Sequence, residues 1–162
     1  MIEIEIAMVR LDPEMKTPIV ILREKEGKPK RFLPIWIGIF EAVAIAMEME
    51  NHASPRPMTH DLLKSVIDSL GAEVVSIIVS DLRDDTFYAE INLRQSNGEV
   101  IKIDSRPSDA MALGLRAKVP IYVAEDVMNS SGMSQDIMDA SPEEQLKAVL
   151  DNLKPEDFGG KV

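Results

Sequence analysis

The chain has no cysteine, which removes disulfides, thiolate zinc sites and a cysteine nucleophile together. Aromatic residues are scarce, at 4%, while methionine occurs ten times, so the core is expected to be aliphatic with soft, unbranched fillers. No apolar run reaches the length of a membrane span. Glu3 and Glu5 interrupt the apolar pattern of the first residues, which reads against a secretory leader and makes the cytoplasm the expected compartment. HExxH, P-loop and GxSxG patterns are lacking, so zincin, NTPase and serine-hydrolase readings have no support. An excess of bases is lacking too. The net charge of −10 opposes a protein that simply coats phosphates.

What is present bounds one domain with an appendage: 162 residues, 45% of them hydrophobic, enough for a core of useful size. The negative charge is uneven. From Glu125 onward nine acids face three bases, whereas residues 1–124 hold nineteen acids and fifteen bases. Around one turn the sign reverses, with Arg23, Lys25, Lys28, Lys30 and Arg31 set about Glu24 and Glu26. Such a turn can touch a phosphate backbone, and more often it is a solvated hairpin tip.

Periodicity divides the chain. Ile2, Ile4 and Ile6 alternate with Glu3 and Glu5 as a half-buried strand. Asp12-Pro13 turns the chain into a second strand from Thr17 to Arg23, and Gly27 turns it into a third from Arg31 to Ile37, where Pro34 suggests an edge or a bulge. From Gly38 to about Glu50 the pattern is helical and apolar on most sides, which predicts a largely buried helix. A proline-rich loop, 51–57, leads to a helix capped by Thr59 and ending at Gly71. Strands follow over 73–81, 86–94 and 99–104, then a helix from Pro107 to about Lys118 and a short strand at 120–124. Ser141-Pro142-Glu143-Glu144 opens a last amphipathic helix containing Leu146, Val149, Leu150 and Leu153.

The two halves share an order: strand, turn, threonine-led strand, glycine turn, strand, helix. Thr17 to Glu41 and Thr86 to Asp109 are nearly equal spans. The expected fold is therefore α+β, a duplicated three-strand-plus-helix unit forming a mixed or antiparallel sheet with helices packed on it and an appended C-terminal helix. Duplication would place Glu41 and Asp109 at equivalent helix starts. An exposed edge of such a sheet offers pairing to a second copy, a homodimer.

Three stretches carry the polar chemistry. Asp104, Arg106, Ser108 and Asp109 crowd a strand-to-helix junction. Carboxylates there can hold Mg²⁺ or Mn²⁺ and activate water, and an arginine can clamp a phosphate. The same residues can instead cap the helix, through Ser105 or Ser108, and pair Arg106 with Asp104 or Asp109; spacing alone favours that plainer reading. His60 and Asp61 open the second helix behind a stiff loop presenting Arg56, and can serve as base or ligand, or complement the helix dipole. Glu41 lies on an apolar helix and, if partly buried, requires a partner such as Arg56 or Arg106. Trp36 reads as core rather than as a base-stacking platform.

LPIWIGIFEAVAI, RPMTHDLL, DDTFYAEI and IDSRPSDAMALGLRAKVPIYV occur in this order. Together they resemble the bifunctional nuclease domain family, which has bacterial members and includes a plant defence-response nuclease. The resemblance covers about residues 1–130, leaving 131–162 as an acidic helical appendage, and a UVR-type motif that some relatives carry is not evident. It implies a nuclease acting on both RNA and DNA. The matching polar residues are Glu41, Arg56, Thr59, His60, Asp61, Asp104, Arg106, Ser108 and Asp109. Within that frame Asp104 and Asp109, with Glu41, are expected to hold a divalent Mg²⁺ or Mn²⁺. His60 and Asp61 are expected to handle protons, as catalytic residues beside Asp104 and Asp109. Arg56, Arg106 and Ser108 are expected on the nucleic-acid phosphate. Two other readings use the same residues: a non-catalytic module holding an anionic ligand or partner, and a structural homo-oligomer whose cluster is an internal ion-pair network.

Overall fold

Alternation of isoleucine and glutamate at the N-terminus does form a strand, and the strand is long. In the computed structural model, which describes residues 1–138, β1 (Ile2–Leu11) pairs antiparallel with β2 (Pro18–Glu24), and β2 with β3 (Arg31–Trp36). Helices α1 (Ile39–Met49) and α2 (Thr59–Ser69) follow. A second antiparallel meander comprises β4 (Glu73–Arg83), β5 (Thr86–Arg94) and β6 (Val100–Ser105). Asp84 and Asp85 both adopt positive φ in the tight turn between β4 and β5, as a two-residue hairpin loop of the right twist requires. Then come α3 (Pro107–Ala117), β7 (Ile121–Val123), α4 (Glu125–Ser131), the two-residue β8 (Met133–Ser134) and α5 (Gln135–Met138). The C-terminal helix expected from Ser141 lies outside the described residues.

All eight strands join one mixed sheet in the order β6-β5-β4-β7-β1-β2-β3-β8, and the fold is α+β. The meanders run outward from the centre in matching order, joined by β7, which is parallel to β4 and antiparallel to β1. β8 covers only Arg31 and Phe32 of β3. At Pro34, therefore, β3 has a strand neighbour on one side alone, where a missing N–H costs least. No helix among the described residues is long and apolar enough to cross a membrane.

One face of the sheet holds the main core. Val20, Leu22, Leu33, Ile35, Ile77, Val79, Ala89 and Ile91 meet Ala110, Met111, Ala112 and Leu113 of α3. Small residues let α3 sit close: a Cβ at Gly114 would stand 2.7 Å from Ile77 Cγ1 of β4. α1 and α2 both pack against α3.

Several expectations need correction. α1 buries only Ala42, Ala44 and Ile45, while Ile39, Phe40 and Val43 are exposed; an apolar helix is not covered merely because it is apolar. Trp36 is exposed, its indole N–H donating to Asp12 Oδ2 at 3.2 Å. Thr59 is the first residue of α2 rather than its cap, because the Asp61 carboxylate takes the Met58 amide (2.9 Å) and makes Met58 the cap. Neither Ser105 nor Ser108 caps α3; Arg106 holds the cap position without a side-chain bond, and Ser108 is buried. The basic turn, in keeping with a solvated hairpin tip, is partly neutralised by its own Glu24 and by acids of β1. Arg23 pairs with Glu5, Lys25 with Glu3, and Arg31 grips buried Glu24 through Nε and Nη2, each at 3.0 Å.

Two stability results are expected. Gly114→Ala should lower unfolding free energy by about 1–3 kcal/mol in urea titration, since the new methyl meets the β4 side chain. The guanidinium of Arg31 holds the Glu24 carboxyl below its ordinary range. Its stabilisation is therefore full above the unfolded-state value and is lost as pH falls through the folded one. Glu24→Gln should thus cost ~1–3 kcal/mol near neutrality, with the gap to the parent closing in acid.

Candidate active site

Three helices begin on one side of the molecule, and each carries an acid at its third residue: Glu41 on α1, Asp61 on α2 and Asp109 on α3. Acids are favoured there because the first-turn N–H groups present positive charge. Packing of α1 and α2 against α3 brings these starts together.

Arg106, at the cap of α3, is the hub. Its Nε donates to Asp109 Oδ2 at 2.8 Å and its Nη2 to Glu41 Oε1 at 2.8 Å, with the same Nη2 2.7 Å from Asp109 Oδ2. The two carboxylates hold the guanidinium pKa above its ordinary value, Asp109 contributing first and Glu41 next. The other Asp109 oxygen, Oδ1, lies 2.9 Å from His60 Nε2. An ionised carboxylate can only accept, so Nε2 carries the hydrogen. His60 is the buried member of that pair, its side chain 9% exposed against 29% for Asp109. Glu41 leans over Gly38, where a Cβ would collide with Glu41 Oε2; the absent side chain makes room for the carboxylate.

Asp61 does different work. Oδ2 accepts the Met58 N–H and Oδ1 accepts Arg116 Nε at 2.6 Å. Those bonds, the Met58 amide first and the Arg116 guanidinium after it, hold the Asp61 carboxyl below its ordinary range. Arg116 is 6% exposed and also donates to Ala112 O (2.8 Å) and Ala44 O (3.1 Å), so a single buried cation ties α1, α2 and α3. Sequence reasoning missed Arg116. The available signal was its place seven positions after Asp109, two turns along the same helix face.

Asp104 stands apart. Its register partner is Glu90, whereas the neighbouring pairs Ala89–Ser105 and Ile91–Ile103 put Ala89 and Ile91 in the core. Side chains alternate along a strand, so Asp104 turns to the face away from α1, α2 and α3. There it lines a groove of about 390 Å³ with Ser80, Asp81, Arg83, Tyr88, Glu90 and Lys102. The expected ligand set of Asp104, Asp109 and Glu41 is therefore not gathered. Among the described residues no three His, Asp or Glu side chains converge as a cation site. Arg56 is exposed in the loop before α2, and Ser108, the second residue of α3, is buried.

The polar signatures at 41, 56–61 and 103–110 thus meet, in part, around one guanidinium. Comparison with known proteins gives the family. The bifunctional nuclease domain model matches residues 20–136. The chain belongs to the bifunctional nuclease domain family. An uncharacterized protein of Mycobacterium tuberculosis is 39% identical, covering 96% of this chain and 97% of that protein. A rice (Oryza sativa subsp. japonica) protein named bifunctional nuclease 2 is 30% identical over 72% of this chain, and bifunctional nuclease 1 of Arabidopsis thaliana is 29% identical over 72%. The match spans 36% of each of those two plant proteins. In this bifunctional nuclease domain the matched segment runs from β2 to α5 and contains Glu41, His60, Arg106 and Asp109.

Arg116→Leu should destabilise the domain by about 2–4 kcal/mol in urea unfolding, because Asp61 and two helix carbonyls lose a common donor. Arg116→Lys should recover only part of this, one ammonium being unable to reproduce a planar fork.

Proposed function

We propose that the Arg106-centred cluster is the working centre of a nuclease that hydrolyses phosphodiester bonds of RNA and DNA. The observation that carries this reading is the convergence of Glu41 and Asp109 on one guanidinium that is 65% exposed, with His60 on the other Asp109 oxygen, in a chain of this family. Arg106 can offer its fork to a phosphate. α1 and α3 both begin without a side-chain cap, so first-turn N–H groups near Glu41 and Asp109 add further anion-favouring charge. Arg56 is free to reach a neighbouring phosphate. Asp109 is the solvent-reaching half of the His60–Asp109 pair and is suited to accept a proton from an attacking water. Buried His60 holds it in place. Asp61 belongs to the support, its carboxylate tied to the Met58 amide and to buried Arg116 rather than to the exposed Arg106 fork.

A divalent ion, Mg²⁺ or Mn²⁺, fits this donor set in a smaller form than the sequence suggested. Two carboxylates already share one cationic nitrogen, Arg106 Nη2, and a Mg²⁺-type site commonly uses one or two carboxylates with substrate phosphate and water. Glu41 and Asp109 would hold the ion, which when bound would neutralise phosphate charge and acidify a water. The homodimer also belongs to this proposal, through the outer edge of β6, which has no strand neighbour among the described residues.

Asp109→Asn should reduce cleavage of a fluorescent single-stranded oligonucleotide by about 10²–10⁴-fold, with thermal stability checked alongside. Asp104→Asn should leave the rate within a factor of two or so, as expected for an exposed residue on the other sheet face. Calorimetric titration of Mn²⁺ should give binding heat that Glu41→Gln and Asp109→Asn each weaken. Full activity in the Asp109 variant would turn the cluster into an internal ion-pair network. Oligonucleotide binding without cleavage would make the domain a binding module.

A further inference from the structure

Phe40 has no part in the core, although it stands beside the cluster. It is 83% exposed, the most exposed of the large hydrophobic side chains among the described residues. Phe32 is buried, while Phe87, Tyr88 and Tyr122 are half-buried. The other exposed aromatic among the described residues, Trp36, has its ring nitrogen tied to Asp12. Phe40 is the second residue of α1 and directly precedes Glu41, whose carboxylate takes Arg106 Nη2. Helical geometry sets neighbouring side chains about 100° apart. With Glu41 turned toward α3, Phe40 projects from the outer face, sharing it with exposed Val43 one turn on. A phenyl ring left in water contributes little to folding, and its backbone is fixed by the same first turn that places Glu41.

We infer that Phe40 is a stacking platform for an unpaired base flanking the phosphate held at Arg106, so that the substrate class is a strand with accessible, unpaired bases. This rests on the nuclease reading above and deepens it. A nucleotide is a ligand that joins a flat apolar face to an anion. The site sets an exposed ring on the residue next to Glu41, the carboxylate that holds the exposed Arg106 guanidinium, in a chain whose net charge of −10 disfavours non-specific phosphate binding. A ring that meets the π-face of a base reads neither its edge nor the sugar 2′-hydroxyl. Such contact tolerates any sequence and either sugar. It would let one site accept both RNA and DNA and would make duplex, with its bases stacked inside, a poorer substrate.

The test uses cleavage-resistant phosphorothioate oligothymidylate and an abasic strand of equal length, each labelled and titrated by fluorescence anisotropy. The parent protein should bind the base-bearing strand more tightly. Phe40→Ala should lose roughly 5- to 150-fold of affinity for that strand and little for the abasic one, whereas Phe40→Trp should keep the preference. The dependence on salt should be the same in all three, because no ionic contact is removed. Equal binding of both strands by the parent protein, or an unchanged preference in Phe40→Ala, overturns the stacking role while leaving the nuclease reading intact. A shift from dimer to monomer by light scattering in Phe40→Ala, with strand preference kept, assigns the ring to a second copy instead. Absence of binding to any strand defeats both readings at once.

Discussion

The arrangement depends on one guanidinium shared by two carboxylates. Glu41 and Asp109 come from helices far apart in sequence, and without Arg106 between them their charges would repel across the meeting of α1 and α3. A cation at that point is a structural necessity before it is a chemical tool. Because the fork is largely solvated, its ion pairs contribute modestly to stability.

Beneath this exposed exchange lies a firmer layer. Buried Arg116 links Asp61 with main-chain oxygens of α1 and α3, while Gly114 lets α3 settle on β4 and Gly38 leaves room for Glu41. His60, enclosed beside Asp109, completes the support. A solvated outer set of ion pairs thus rests on a buried second tier, which fixes the backbones from which the outer side chains project.

Much of this was legible in the residues. Alternating isoleucines, Pro107 at a helix start and the Asp84-Asp85 turn are local signals, and local signals fix local elements. The clustering of polar motifs at helix starts pointed to Glu41, His60 and Asp109. What failed were properties set by long-range pairing. Asp104 is five residues from Asp109, yet the pleat of β6 sends it to the opposite face. The basic turn reads as a solvated hairpin tip, but its pairing with Glu3 and Glu5 could not be seen because they lie on another strand. Apolar α1 suggested burial, but only the fold decides how many sides receive a cover, and Phe40 received none. Arg116 had no motif at all; its importance comes from the carbonyls that happen to surround it.

The three-residue β7 stands at the middle of the sheet and joins meanders whose own strands are all made earlier. During synthesis on the ribosome each meander can form from nearby segments, but they cannot become one sheet until residues 121–123 emerge and insert between β4 and β1. Until then the inner edges of β1 and β4 stand open to other chains. The hazard for this protein is thus a timing one, concentrated in the interval before its shortest central strand is delivered.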